Sequence, residues 1–163
     1  MFLTLEKPSK LSIEVNGDRF QNLHLFTNHP PRNKPNVNDP NVVYFGPGLH
    51  TITENNKRLY AKSNQHIYID AGAVLRGFIR LKNVENVTIS GHGVLDATFE
   101  EFESWGTYTF EIEASKHITI QDVHVIKKIS KDNNIFMRNA EDIDINGVTI
   151  IASTNWSDGT HVL

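Results

Sequence analysis

The chain has 163 residues, 39% hydrophobic and 21% charged, a balance that excludes a disordered tail, a collagen or a coiled coil and fits a globular domain. With no cysteine it can build neither a disulfide framework nor a thiolate zinc site, and no apolar run reaches the ~18 residues of a membrane helix. A net charge of -3, with Lys and Arg scattered along the chain, leaves no basic footprint, so neither nucleic acid nor a membrane is expected as a partner.

The first residues, Met1 to Pro8, lack the basic start and apolar core of a signal peptide, so no export leader is expected in this stretch. Leu11 to Gly17 alternates apolar and polar residues and ends in Asn16-Gly17, which predicts a strand entering a tight turn, with Leu23 to Phe26 as its hairpin partner. Residues 28–40 hold four of the six prolines and little to bury, so they are expected to be a linker. Two short strands cannot form a stable domain alone. Residues 1–27 are therefore predicted to be a β-hairpin that packs as a flap or belongs to something larger.

From residue 41 to residue 163 the pattern changes to short Val/Ile alternations separated by Asn, Asp and Gly, with no helical periodicity. Four pairs recur: Ile67-Tyr-Ile69, Val87-Thr-Ile89, Ile118-Thr-Ile120 and Ile143-Asp-Ile145. Two of them continue in step, Ile118 with Val123 and Ile143 with Val148. That odd offset breaks the period-two parity of a strand, so a bend must fall between. A strand, a bend, a second strand and a variable loop, repeated at 20 to 30 residues, is what one coil of a parallel β-helix requires. An antiparallel sandwich also has short strands at such spacing, but its strands need not resemble one another. Four or five coils are expected, and residues 99–105, acidic and aromatic, should form a surface loop or a single helical turn.

Small residues at Ala71-Gly-Ala73 and Gly91-His-Gly93 suit corners where coils approach closely. His92 reads as a corner residue, since no second His or carboxylate stands near it in sequence at metal-ligand spacing. No metal site and no cofactor are expected. Lys127-Lys128 and Lys131 would suit an anionic sugar, but so short a run reads as a solvated loop.

Three stretches carry a resemblance: Val43-Tyr-Phe-Gly-Pro-Gly-Leu-His50, Ile67-Tyr-Ile-Asp-Ala-Gly-Ala-Val-Leu-Arg-Gly77 and Val87-Thr-Ile-Ser-Gly-His-Gly-Val-Leu-Asp96. Together they resemble the opening of the pectin lyase-like glycoside hydrolases, family 28 (polygalacturonases) and family 49 (dextranases). The resemblance covers about residues 40–163 and implies an all-β, right-handed parallel β-helix, here truncated. It also makes residues 1–27 look like the tail of a β-sandwich that precedes the helix in some relatives.

The chemistry falls on Thr154-Asn-Trp-Ser-Asp-Gly-Thr-His161. In the family 28 pattern an Asn-Thr-Asp-Gly motif supplies the first active-site aspartate. Asp158-Gly159 matches its second half, Ser157 stands for Thr, and Trp156 occupies the Asn position with Asn155 one place earlier. Ser157-Asp158-Gly159 is also ordinary turn chemistry. The resemblance implies that Asp158 is catalytic, on the water-activating side of an inverting hydrolase. Asn155, Trp156 and His161 are expected to bind substrate, and the Trp ring suits stacking on a sugar face.

In the family the general acid comes from an Asp-Asp pair about one coil later, and this sequence has no such pair. The expectation is therefore an N-terminal fragment of a polysaccharide glycoside hydrolase, inactive alone and self-associating through an uncapped C-terminal coil. Its parent would be secreted or periplasmic, where polysaccharides are found. The competing expectation is a non-catalytic carbohydrate-binding β-helix in which Trp156, Trp105 and Tyr108 line a groove. A polysaccharide lyase on the same fold ranks last, because it calls for a basic catalytic residue where Asp158 stands.

Overall fold

A computed structural model describes residues 3–30, 34–98, 107–128, 133–152 and 159–163, apart from the side chains of residues 19–21. The chain divides into two compact units, Met1–Asn33 and Lys34–Leu163. In the first, β1 (Lys10–Val15) and β2 (Asp18–Phe26) pair antiparallel. Asn16 and Gly17 both have positive φ, 57° and 73°, the two-residue turn whose twist matches the strands it joins.

The second unit is a parallel β-helix of five coils with three strands each. The first coil holds β3 (Val42–Phe45), β4 (Gly48–Thr51) and β5 (Arg58–Tyr60). The second holds β6 (His66–Ile69), β7 (Ala73–Arg76) and β8 (Phe78–Lys82), and the third β9 (Glu85–Ser90), β10 (Val94–Asp96) and β11 (Phe110–Glu113). The fourth holds β12 (Lys116–Gln121), β13 (His124–Lys127) and β14 (Ile135–Arg138). The fifth holds β15 (Glu141–Asn146), β16 (Thr149–Ala152) and β17 (Thr160–Val162). Like strands of successive coils pair into three five-stranded parallel sheets: first β3-β6-β9-β12-β15, second β4-β7-β10-β13-β16, third β5-β8-β11-β14-β17.

The recurring Ile/Val pairs all lie in the first sheet. Val43, Ile67, Ile89, Ile120 and Ile145 stand opposite one another through the five coils, at intervals of 24, 22, 31 and 25 residues. One registration differs from the sequence pattern: Ile67 pairs with Ile89, two residues beyond Val87. Equivalent inward ladders run through the second sheet (Leu75, Leu95, Val125, Ile150) and the third (Leu59, Ile79, Phe110, Ile135). Most of these side chains are fully buried. With neighbouring parallel strands ~4.8 Å apart, each apolar side chain rests on its counterparts in the coils before and after.

The corners explain the Asn, Asp and Gly that punctuate the sequence. The predicted bends fall at Asp122 (φ 59°) between β12 and β13, and at Gly147 (φ 67°) between β15 and β16. Of the twelve non-glycine residues with positive φ among those described, nine are Asn or Asp, the types that tolerate the left-handed conformation best. Gly91 shows why a side chain is forbidden at one corner: with φ at 122°, a Cβ there would sit 2.0 Å from the Ile69 carbonyl oxygen.

Ile89→Ala should cost about 2–5 kcal/mol, since it empties a fully enclosed rung that its neighbours cannot collapse into. Gly91→Ala should destabilise by backbone strain and collision rather than by a cavity. Urea denaturation of both variants checks this; an unchanged midpoint for either would contradict the stacking described.

Candidate functional site

The corners are unequal in length. Two or three residues separate the first sheet from the second in every coil, and two to five separate the third sheet from the next coil's first. Between the second and third sheets the connection has six, one, thirteen, seven and seven residues in successive coils. The three long connections of the last coils carry Trp105 and Tyr108, then Lys128 and Lys131, then Asn155, Trp156 and Asp158. Both tryptophans, one in the third coil's connection and one in the fifth's, and Asp158, in the fifth's, thus belong to connections that enter the same sheet.

Beside this corner lies the outer face of the third sheet. Its central column is Tyr60, Arg80, Glu111, Phe136 and His161, one residue per coil. Arg80 donates from Nε to Glu111 at 2.6 Å, and from Nη1 to the Tyr108 carbonyl at 2.8 Å and the Ile79 carbonyl at 3.2 Å. Burial pushes its guanidinium down to about 10, against the opposing attraction of Glu111. The Tyr108 ring stacks on Phe136 with centroids 4.3 Å apart and planes 11° from parallel. His161 is exposed, its ring 6.0 Å from Phe136. Next to this column Glu113 lies between Lys82, at 3.1 Å, and Arg138, with which it forms a close hydrogen-bonded pair. Tyr60, Arg80, Leu81, Lys82, Glu111 and Glu113 line a cavity of about 100 Å³.

Of the residues expected to act, His161 is the one the structure places: it projects from β17 into the outer column of the third sheet. Asp158, Asn155 and Trp156 lie outside the described residues, as does the 99–105 excursion. His92 stands between β9 and β10, its Nε2 3.9 Å from Asp122 Oδ2, and no cluster of three metal-ligating side chains occurs among the described residues. One expectation is corrected. Lys127 is not solvated: it is 1% exposed, on the inward side of β13 after Val123 and Val125, and its Nζ donates to the carbonyls of Thr107 (2.9 Å) and Asn133 (3.0 Å).

Tyr60, Arg80, Glu111 and Phe136 were not singled out from sequence. The available signal was a polar or aromatic residue between two apolar ones, as in Ile79-Arg-Leu81, Phe110-Glu-Ile112 and Ile135-Phe-Met137. A coil of two strands, as the sequence pattern suggests, has no place for this face, and the third strand is the one that carries it.

A polar pair on another face, His66 Nε2 with Ser90 Oγ at 2.7 Å, lies on the outer side of the first sheet, away from the column just described. Burial lowers the His66 ring below its ordinary value, so it is neutral near pH 7. No third group is seen orienting it among the described residues, and the pair reads as a satisfied structural contact.

No protein-family profile matches this sequence, and no curated protein matches it. Among solved structures the chain is similar to one named "putative glycosyl hydrolase from Parabacteroides merdae", at 13% identity and a TM-score of 0.48, over 75% of this chain and 79% of that one.

The Arg138 hydrogen bond, followed by that of Lys82, holds the Glu113 carboxyl below its ordinary value of 4.5. A depressed folded-state pKa contributes stability above the unfolded value and loses it as pH falls through the folded one. The urea midpoint should therefore drop below pH 4.5, and Glu113→Gln should flatten that part of the profile. An identical acid limb in the variant would show that the ion pairs contribute nothing.

Proposed function

We propose that this β-helix belongs to a polysaccharide glycoside hydrolase of the inverting kind, polygalacturonase-like or dextranase-like, whose sugar chain lies on the outer face of the third sheet. The observation that carries the reading is the convergence at one corner: three successive long connections, holding Trp105, Trp156 and Asp158, all lead into that sheet. Function concentrates on connections held by a rigid scaffold. Tyr108, stacked on the buried Phe136, and half-exposed Tyr60 provide the apolar surface on which sugar rings pack, and the exposed Lys82 and Arg138 beside them offer hydrogen bonds to hydroxyls.

In this scheme Asp158 is the base that activates water on one side of the glycosidic bond, and a carboxylic acid ~6.5–9.5 Å away protonates the leaving oxygen. Trp156, Asn155 and His161 hold the sugar. An acid must keep its proton near neutral pH. Glu113, held ionised by two cations, is unsuited to that role, and the resemblance to family 28 assigns it to the coil after Asp158. A substrate of this kind lies outside the cell, so we place the protein in a secreted or periplasmic setting.

A second reading, a non-catalytic carbohydrate-binding β-helix, is favoured by the ion pairing of both carboxylates on the face, Glu111 and Glu113. The two share the sugar-binding face and differ in turnover. Because both tryptophans lie in the corner connections, titration with oligogalacturonides and isomalto-oligosaccharides should change tryptophan fluorescence, and Trp156→Ala should weaken binding at least about tenfold. A chain that responds to no saccharide sinks both readings. In the active hydrolase, NMR of the first product should show an inverted anomeric centre, and Asp158→Asn should lower kcat by about 10²–10⁴. Saccharide binding with no turnover selects the second reading.

A further inference from the structure

Among the described residues, Lys127 is the charged side chain found among the largest fully buried ones. The equivalent positions in the second, third and fifth coils are small, Gly77, Ala97 and Ala152, and Lys127 pairs directly with Ala152. Those small neighbours leave room for its four-carbon stem to run inside the corner. An ammonium taken out of water is costly unless it is hydrogen-bonded. Here it binds two main-chain carbonyls from two coils: Thr107, which immediately precedes Tyr108, and Asn133, three residues before Phe136. These are the returns of the two long connections into the third sheet. The peptide on the far side of Tyr108 is held in turn by Arg80 Nη1 on the Tyr108 carbonyl. The backbone on both sides of Tyr108, and the strand entry leading to Phe136, are thus fixed by buried cations, and these two rings form the closest aromatic stack on the described face.

We infer that Lys127 is the positioning residue of the saccharide-binding face: its buried ammonium ties together the ends of two neighbouring corner connections and so sets the Tyr108–Phe136 platform. The inference rests on the proposed saccharide-binding reading and adds to it a residue that never touches the sugar. It also explains a lysine where parity demands an apolar side chain, since Met or Leu would fill the space and leave both carbonyls without this donor.

Lys127→Met, which keeps the stem and removes the donor, tests this against Val125→Ala, a cavity variant at the neighbouring inward position of the same strand. Oligosaccharide affinity, thermal stability and amide hydrogen exchange are measured on all three full chains. The expected result is at least a tenfold loss of affinity for Lys127→Met, with faster exchange in 107–113 and 133–138 and unchanged exchange in 66–76. Val125→Ala should lose stability and keep wild-type affinity. If Lys127→Met binds as Val125→Ala does, or if its exchange rises equally in every coil, the lysine is only structural and the inference is overturned. Should Lys127→Met not fold, Lys127→Gln, with a shorter donor, carries the same comparison. Failure of the wild-type chain to bind any saccharide overturns the underlying reading and this inference with it, an outcome distinct from wild-type binding that survives the substitution.

Discussion

Everything in this molecule depends on one constraint: each coil must set its inward side chains onto those of the coils beside it. The interior holds an apolar ladder from each sheet, and a residue that slips by one position turns its whole strand inside out. The Val43 to Ile145 column keeps its partners through five coils although the coils differ in length by up to nine residues. The corners make this tolerable. A left-handed residue such as Asp122 or Gly147 resets the direction of the chain within two or three residues, so that the next strand again presents alternate side chains inward.

The same constraint sorts where variation can go. Two of the three corners are short in nearly every coil, because there the chain passes from strand to strand with little slack. At the corner between the second and third sheets the chain makes excursions of up to thirteen residues, and lengthening such a connection adds little to the entropy of closing it. The long connections therefore all enter the third sheet from one side, and that sheet's outer face carries the aromatic and charged column. The excursions have a structural cost as well. Where they open the corner, the interior gains polar carbonyls that a purely apolar ladder could not satisfy, and buried Lys127 meets two of them. Arg80 does the related work on the outer side, with Glu111 offsetting part of the penalty of its burial.

Much of the fold is legible in the sequence. The Ile-x-Ile pairs, the odd offset to Val123 and Val148, and the small residues around His92 all report short-range geometry, and each found its place: first-sheet strands, a bend and a close corner. The misreadings share a cause. The Ile67 pair aligned with Val87 by similarity and with Ile89 in space, because a two-residue shift preserves parity and only stacking chooses between the two. The third strand of each coil is hidden in the sequence because Phe78-Ile-Arg-Leu-Lys82 and Ile135-Phe-Met-Arg138 lack the clean alternation of the first. Their outer faces are themselves partly covered, as the near-complete burial of Arg80 and Phe78 shows.

The sequence by itself determined the β-helix, since period-two apolar pairs, left-handed corner residues and a recurring offset are properties of neighbouring residues. It also singled out the Asn155 to His161 segment through its likeness to a glycoside hydrolase motif. Only the tertiary structure decided that Tyr60, Arg80, Glu111, Phe136 and His161 form one column, and that Lys127, hydrophilic and two residues beyond Val125, lies inside. The reason is physical: those residues are separated by whole coils of about 20 to 30 residues, and which of them meet depends on the register of stacking. Register is set by the summed fit of every ladder at once, and no local stretch of sequence contains it.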